Sequence, residues 1–202
     1  MYALVTDNEI TKLISYPKSM VIGDVQYPAK IFQLWSKSEL EAKGIYEVVF
    51  DNSNFKDEKW YINTNQSFAF ADGTVTASYG TATPKAHADR NGTDEDGVEL
   101  NPVVVIEGLK TQLIKTLKQQ VAGILSNTDW YITRNAEKST AIPSSISTYR
   151  DSVRTKQASM ETAITNASNT PALETLYTYV NTGTEKNPVT ERPLGELPIL
   201  ES

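Results

Sequence analysis

Two helix-length apolar stripes between Leu109 and Ser168 constrain this chain more than any other feature. The first runs Leu109, Leu113, Leu117, Val121, Ile124 and Leu125, in steps that put these side chains on one face of a helix of 3.6 residues per turn. Lys110, Gln112, Lys115, Lys118, Gln119 and Gln120 lie between them as a solvated face. The second runs Ile146, Tyr149, Val153, Gln157, Met160, Ile164 and Ala167, close to coiled-coil spacing with one polar residue at a seam position. Asp129-Trp130-Tyr131 closes the first helix, and Ala141-Ile142-Pro143 opens the second, where a proline's missing N–H costs nothing. A helix of about 25 residues is roughly 40 Å long, and a connector of about ten residues or fewer predicts that the two pack antiparallel.

The first eighty residues read differently. Tyr2 to Thr6, Ile10 to Ser15, Met20 to Ile22, Val25 to Tyr27 and Ile45 to Phe50 are strand-like, with turn pairs at Asp7-Asn8 and Gly23-Asp24. Ser36 followed by Glu39 is a capping box and Gly44 a helix-ending glycine, so Lys37 to Lys43 is one short helix. Phe68 and Phe70 alternate against Val75, Ala77 and Tyr79 about Asp72-Gly73, the clearest hairpin signal in the chain. The expected fold class is α+β: a small antiparallel β head with one short helix over residues 1–80, a linker over 81–102, a long antiparallel helical hairpin over 103–170, and a short helix with an extended tail over 171–202. Asp89, Asp94, Glu95, Asp96 and Glu99 make the linker acidic, and Pro188, Pro193 and Pro198 predict a solvated tail unless a partner captures it.

Charge follows the same division. Residues 1–102 carry 15 acids against 9 bases, residues 103–170 carry 5 against 8, and residues 171–202 carry 5 against 2, for a net charge of −6. The helical section is too weakly basic for a nucleic-acid footprint, which needs a concentrated Lys/Arg stripe. No apolar run reaches the length that spans a bilayer, and the N-terminus lacks the order of a signal peptide, so no membrane partner is expected. Without cysteine, thiolate chemistry is excluded, and with the single histidine His87 no multi-histidine metal site can form.

Beyond these, the 25 acids leave open only carboxylate chemistry, a loose cation site in the acidic segment or a pair of acids from distant segments suited to glycoside hydrolysis. Asp89, Asn91 and Thr93 hold alternate positions as in a calcium loop, but Asp94 stands where that loop needs Gly and Leu100 where it needs Glu. A Ser/His/Asp triad would have to run through His87, and neither a nucleophile elbow nor a phosphate-cradling glycine loop is present. The expectation is a non-enzyme with no cofactor. Adjacent helix positions point in different directions, so Trp130 and Tyr131 cannot easily share one seam and at least one should face a partner. Ile146, Tyr149, Val153 and Met160 complete the candidate partner interface, with self-association as a further use.

Two blocks resemble known proteins. Residues 13–50, through Ile22-Gly23-Asp24-Val25-Gln26-Tyr27-Pro28, Leu34-Trp35-Ser36 and Gly44-Ile45, are similar to the head of small proteins encoded with tailed-bacteriophage fibres. Residues 125–154, with Leu125 to Arg134, Ala141-Ile142-Pro143 and Thr148-Tyr149-Arg150, resemble the helical hairpin of tail-fibre assembly proteins. The resemblance implies a fibre-assembly chaperone or fibre-associated virion protein whose partner is the tail fibre or another tail component. Its place would be the host cytoplasm during assembly, or the virion tail. The alternatives are a permanent adaptor subunit of the tail or baseplate, and a carbohydrate-binding module of the host-recognition apparatus. The resemblance supplies no catalytic residue.

Overall fold

The computed structural model describes residues 1–200. The chain divides into two compact units, Met1–Thr83 and the remainder from Pro84. In the first, β1 (Tyr2–Thr6) and β2 (Glu9–Ile14) form a hairpin. Its turn residues Asp7 and Asn8 have φ of 53° and 65°, the left-handed values that match the twist of paired strands. A smaller hairpin follows, β3 (Met20–Ile22) and β4 (Val25–Tyr27), then α1 (Ile31–Leu34) and α2 (Lys37–Glu41). After β5 (Ile45–Asp51) and the two-residue β6 (Tyr61–Ile62) comes the hairpin of β7 (Ser67–Ala71) and β8 (Thr74–Ser78), turning on Asp72 and Gly73 at φ of 50° and 70°.

Five strands make one sheet in the order β2-β1-β5-β8-β7, curled so that β2 and β7, at its edges, approach each other. Alternation along β1 feeds both faces. Ala3 and Val5 join Val48, Val75 and Ala77 in one buried cluster, while Tyr2 and Leu4 pack against the other, made by Ile14, Met20, Ile31, Phe32, Leu40 and Ile45. The second cluster lies under the β3–β4 hairpin and the two helices.

Two expectations for this unit need correction. The sheet is mixed, because β5 and β8 pair parallel with Val48 opposite Val75; the chain between them is long enough to carry it back to the starting end. And there are two short helices rather than one, since Ile31 and Phe32 are buried from a single turn that carries no periodic signal of its own. The capping box forms as expected: Ser36 Oγ accepts from the Glu39 N–H, and the Glu39 carboxylate accepts from the Ser36 N–H at 2.7 Å.

Gly44 ends this helical segment at φ 76°, and a Cβ there would fall 2.4 Å from the Val5 carbonyl oxygen. Val5 donates to the Gly44 carbonyl at 2.8 Å beside a bulge in β1, so the backbones cannot separate without loss of that bond.

β9 (Thr83–Pro84) straddles the division, and the second unit continues with β10 (Arg90–Asn91) and β11 (Val105–Ile106). Four helices follow: α3 (Leu109–Ser126), α4 (Asp129–Lys138), α5 (Ser144–Asn166) and α6 (Thr170–Tyr177). The strands β12 (Val180–Asn181) and β13 (Thr190–Glu191) pair antiparallel near the end. α3 and α5 run in opposite directions. Lys110 Nζ near the start of α3 donates to the Thr165 carbonyl near the end of α5, and Lys118 meets Glu161 at 3.5 Å. Leu109, Leu117 and Val121 are buried from α3, and Ile146, Arg150, Val153, Met160 and Ile164 from α5.

Residues 85–89 organise with the helices rather than hanging free. The Ala86 and His87 carbonyls accept from the N–H groups of Leu109 and Lys110, so the lone histidine serves α3 through its backbone. Asp89 accepts from the Gly108 N–H at 2.8 Å and from the Thr111 hydroxyl at 2.9 Å, capping a helix whose own N-cap, Gly108, has no side chain. The Gly108 hydrogen bond, then the Thr111 bond and the nearby Lys115 charge, hold the Asp89 carboxyl below its usual range. A Cβ on Gly108 would meet the Ala88 backbone at 2.4 Å, so only glycine lets this segment lie so close.

The tail also departs from expectation. Instead of an extended, solvated strand it folds back: Leu194 is buried and donates from its N–H to the Leu176 carbonyl. The Arg192 guanidinium lies over Tyr177 and Tyr179 and bonds Glu196, and Pro193 sits in the turn that follows.

Two measurements check these constraints. Gly44→Ala should cost about 2 kcal/mol of unfolding free energy, seen as a lower urea midpoint with an unchanged slope, from a strained backbone pressed against a carbonyl. Because the Asp89 pKa is lowered on folding, its contribution is complete above the ordinary carboxylate range near 4 and is lost as pH falls through its folded value. Asp89→Asn should therefore flatten the acid limb of a melting-temperature profile, and an unchanged limb would remove Asp89 from the cap.

Candidate docking site

The break between α3 and α4 is set by one side chain from α5. Arg150 is buried, and its Nη1 donates to the Leu125 carbonyl at 2.8 Å and to Thr128 Oγ1 at 2.6 Å. Its Nη2 meets the Asp129 carboxylate at 2.9 Å. Thr128, itself buried, donates a hydrogen bond from its hydroxyl to the same Leu125 carbonyl at 3.0 Å. A cation thus sits where the carbonyl end of α3 carries partial negative charge, and an anion sits in the first turn of α4 where the N–H ends carry partial positive charge. The expected single helix through Tyr131 is therefore two. α3 stops at Ser126, and Asp129 opens α4 instead of closing α3.

α4 is unusual in burying none of its residues. Trp130 is 51% exposed and Ile132 is also exposed, while Tyr131 and Arg134 are half-buried. The Trp130 and Tyr131 rings stand 4.0 Å apart at 33°, and the Arg134 guanidinium lies 4.6 Å over Trp130 and 5.6 Å from Tyr131. Adjacent helix positions do begin in different directions, but both rings fold toward Arg134, four and three residues on, where cation and aromatic faces attract. The far end of the helix is held by Asn135, whose amide donates to the Thr140 carbonyl.

The other members of the expected interface lie elsewhere. Ile146, Val153 and Met160 are buried at 6%, 0% and 3% exposure in the unit's own interior, and Tyr149 is half-buried with its hydroxyl 3.5 Å from the Pro198 carbonyl. The structure brings Trp130 and Tyr131 together on an open face and leaves the stripe inside. Sequence reasoning missed Arg150. The positions Ile146, Arg150, Val153, Gln157, Met160, Ile164 and Ala167 alternate fours and threes without a fault, and that regular heptad count places Arg150, not Tyr149, at the seam.

Among the described residues no group of three or more His, Asp or Glu could hold a metal ion, and no helix is long and apolar enough to cross a membrane. In the first unit a hollow of about 130 Å³ opens between Tyr2, Phe32, Trp35 and Glu47, and in the second two open hollows reach the size of ordinary ligand pockets, about 390 Å³ beside Tyr179, Arg192 and Glu196 and about 400 Å³ along Ala158, Glu161 and Thr165.

Truncating Arg150 leaves the Thr128 and Leu125 groups without their buried partner, so Arg150→Ala should cost about 3 kcal/mol in urea unfolding. Asp129→Asn should cost under about 1 kcal/mol, because that carboxylate is more than half exposed and screened. Equal effects of the two would show that the buried bonds are not what fixes the junction. No family model, no curated protein and no solved structure matches this chain, so the role of the α4 face rests on its geometry and on the residues that build it.

Proposed function

We propose that this protein is a non-enzymatic docking factor that helps a tailed-phage fibre fold or attach, with α4 as the element that meets the fibre. The observation that carries the reading is a helix pinned at its start by a buried Arg150 cluster yet burying no residue of its own. A helix held in place with an aromatic face open to water is suited to enter a groove or cover an apolar surface on another protein. The resemblance of residues 125–154 to tail-fibre assembly proteins falls on this junction, since Thr128, Asp129, Trp130 and Arg150 are among the residues that carry it.

The mechanism follows from what is exposed. Trp130 and Ile132 would shield apolar fibre surface until the fibre subunits find one another, with no nucleotide or metal involved, and assembly would take place in the host cytoplasm. A carbohydrate-binding role is less well supported, because Arg134 already lies over a face of Trp130 where a sugar ring would stack.

Co-expression with the neighbouring fibre protein tests this. The expected result is a complex that survives purification, and Trp130→Ala should lower its affinity at least about tenfold while the unfolding midpoint stays near that of the unaltered chain. If the fibre trimerises equally well alone and no complex forms, the proposal fails. Mass spectrometry of purified virions then separates a transient chaperone, absent from them, from a permanent adaptor present in fixed ratio.

A further inference from the structure

A second surface stands apart from α4 and concerns the acidic segment before α3. Arg90 pairs with Ile106 and Asn91 with Val105; Gly92 donates to the Val104 carbonyl at 2.7 Å, Leu100 donates to the Gly92 carbonyl, and Thr93 bridges Glu99. The ribbon ends in a tight turn in which Asp94 bonds Val98 through both its backbone N–H and its side chain. This is one two-stranded ribbon, and among the described residues no third strand joins it.

Its composition is wrong for a free ribbon. Val98, Val103, Val104, Val105 and Ile106 are all more than two-fifths exposed, and the strand residues Val105 and Ile106 point to opposite faces, so both faces present aliphatic side chains to water. A two-stranded ribbon is marginal in water by itself, and a flat apolar edge is a template for another strand. Because Val104 turns its carbonyl inward to Gly92 and Val105 is the next residue, in the strand, the backbone alternation aims the N–H and C=O groups of Val105 at the open edge.

The rim says which strand fits. Asp94, Glu95, Asp96 and Glu99 are exposed around the tip, against a single base, Arg90. Two copies meeting here would bring like charges together, which costs rather than stabilises. We propose that the Val103–Ile106 edge takes an extended aliphatic segment of a different protein, flanked by Lys or Arg, as a third strand. Main-chain bonds to Val105 and side-chain contacts along the Val103–Ile106 edge would give the affinity, and the acidic tip would choose the basic flanks. The inference holds whether or not that protein is a fibre subunit.

The test uses the full chain and a labelled peptide alternating Val and Thr with a Lys-Lys pair at each end, followed by fluorescence anisotropy. Saturable binding is expected, weakened about tenfold or more when the flanks are Glu-Glu and reduced by added salt. Val105→Pro, which removes an edge donor without breaking the existing ladder, should abolish it, and the near-isosteric pair Val103→Thr with Val105→Thr should weaken it while keeping strand propensity. The proposal is overturned if neither peptide binds saturably, or if both bind equally. It is also overturned if sedimentation shows a dimer of the chain alone that the threonine variants dissociate, since a second copy would then cover the edge.

Discussion

The buried guanidinium of Arg150 is the constraint on which the helical unit depends. It arises from α5, yet its bonds decide where α3 ends and where α4 begins. Placing a charge in the interior is costly unless its hydrogen bonds are met, and here a helix-terminal carbonyl, a threonine hydroxyl and a carboxylate serve the two Nη groups while the buried Nε has no acceptor. Those acceptors exist together only if the chain breaks at Asn127-Thr128. The break and the buried cation therefore stabilise each other, and an unbroken helix would leave both the charge and the Thr128 hydroxyl without their present partners.

Fixing the start of α4 in this way frees the rest of it. A helix normally gains its stability by burying an apolar face, and α4 buries none. Its order comes from its ends, Arg150 at the beginning and the Asn135 bond to the Thr140 carbonyl near the close, and from the Arg134 stack along its surface. The ribbon of residues 90–106 follows a related plan, an exposed apolar surface rooted at its base by the contacts of residues 86–89 with the start of α3. The two exposures differ in chemistry, one aromatic with a guanidinium and one aliphatic with a carboxylate rim. That difference would sort any partners the two surfaces meet, because neither presents the surface the other would accept.

How much of this the sequence revealed follows from the range of each interaction. Hairpins turning on Asp7-Asn8, Gly23-Asp24 and Asp72-Gly73, and the Ser36–Glu39 capping box, are set by neighbours a few residues apart and were legible. The parallel pairing of β5 with β8 was not, since it depends on how far the intervening chain travels rather than on any residue in either strand. Arg150 escaped for a different reason. A charged residue beside a tyrosine on an amphipathic helix reads as the solvated face, and only the unbroken heptad count moves it to the seam. The capping of α3 by Asp89 was hidden too, because the acidic composition of its neighbourhood suggested solvation and its two acceptor bonds come from residues about twenty positions away.

The burial of Ile146, Val153 and Met160 bears directly on how a partner can be engaged. Baring such side chains costs roughly 1.5–3 kcal/mol each, so opening the α3–α5 seam to offer all three would consume much of the 5–15 kcal/mol by which a typical domain is stable. A docking event that needed the stripe would have to unfold the unit first and recover that loss from the new interface. Trp130 and Ile132 demand no such step, since they are exposed already on a helix whose position is fixed before any partner arrives. Preorganisation of this kind lowers the entropy lost on binding. The economical route to a complex is therefore through α4, with the stripe serving to hold α5, and through it Arg150, in place.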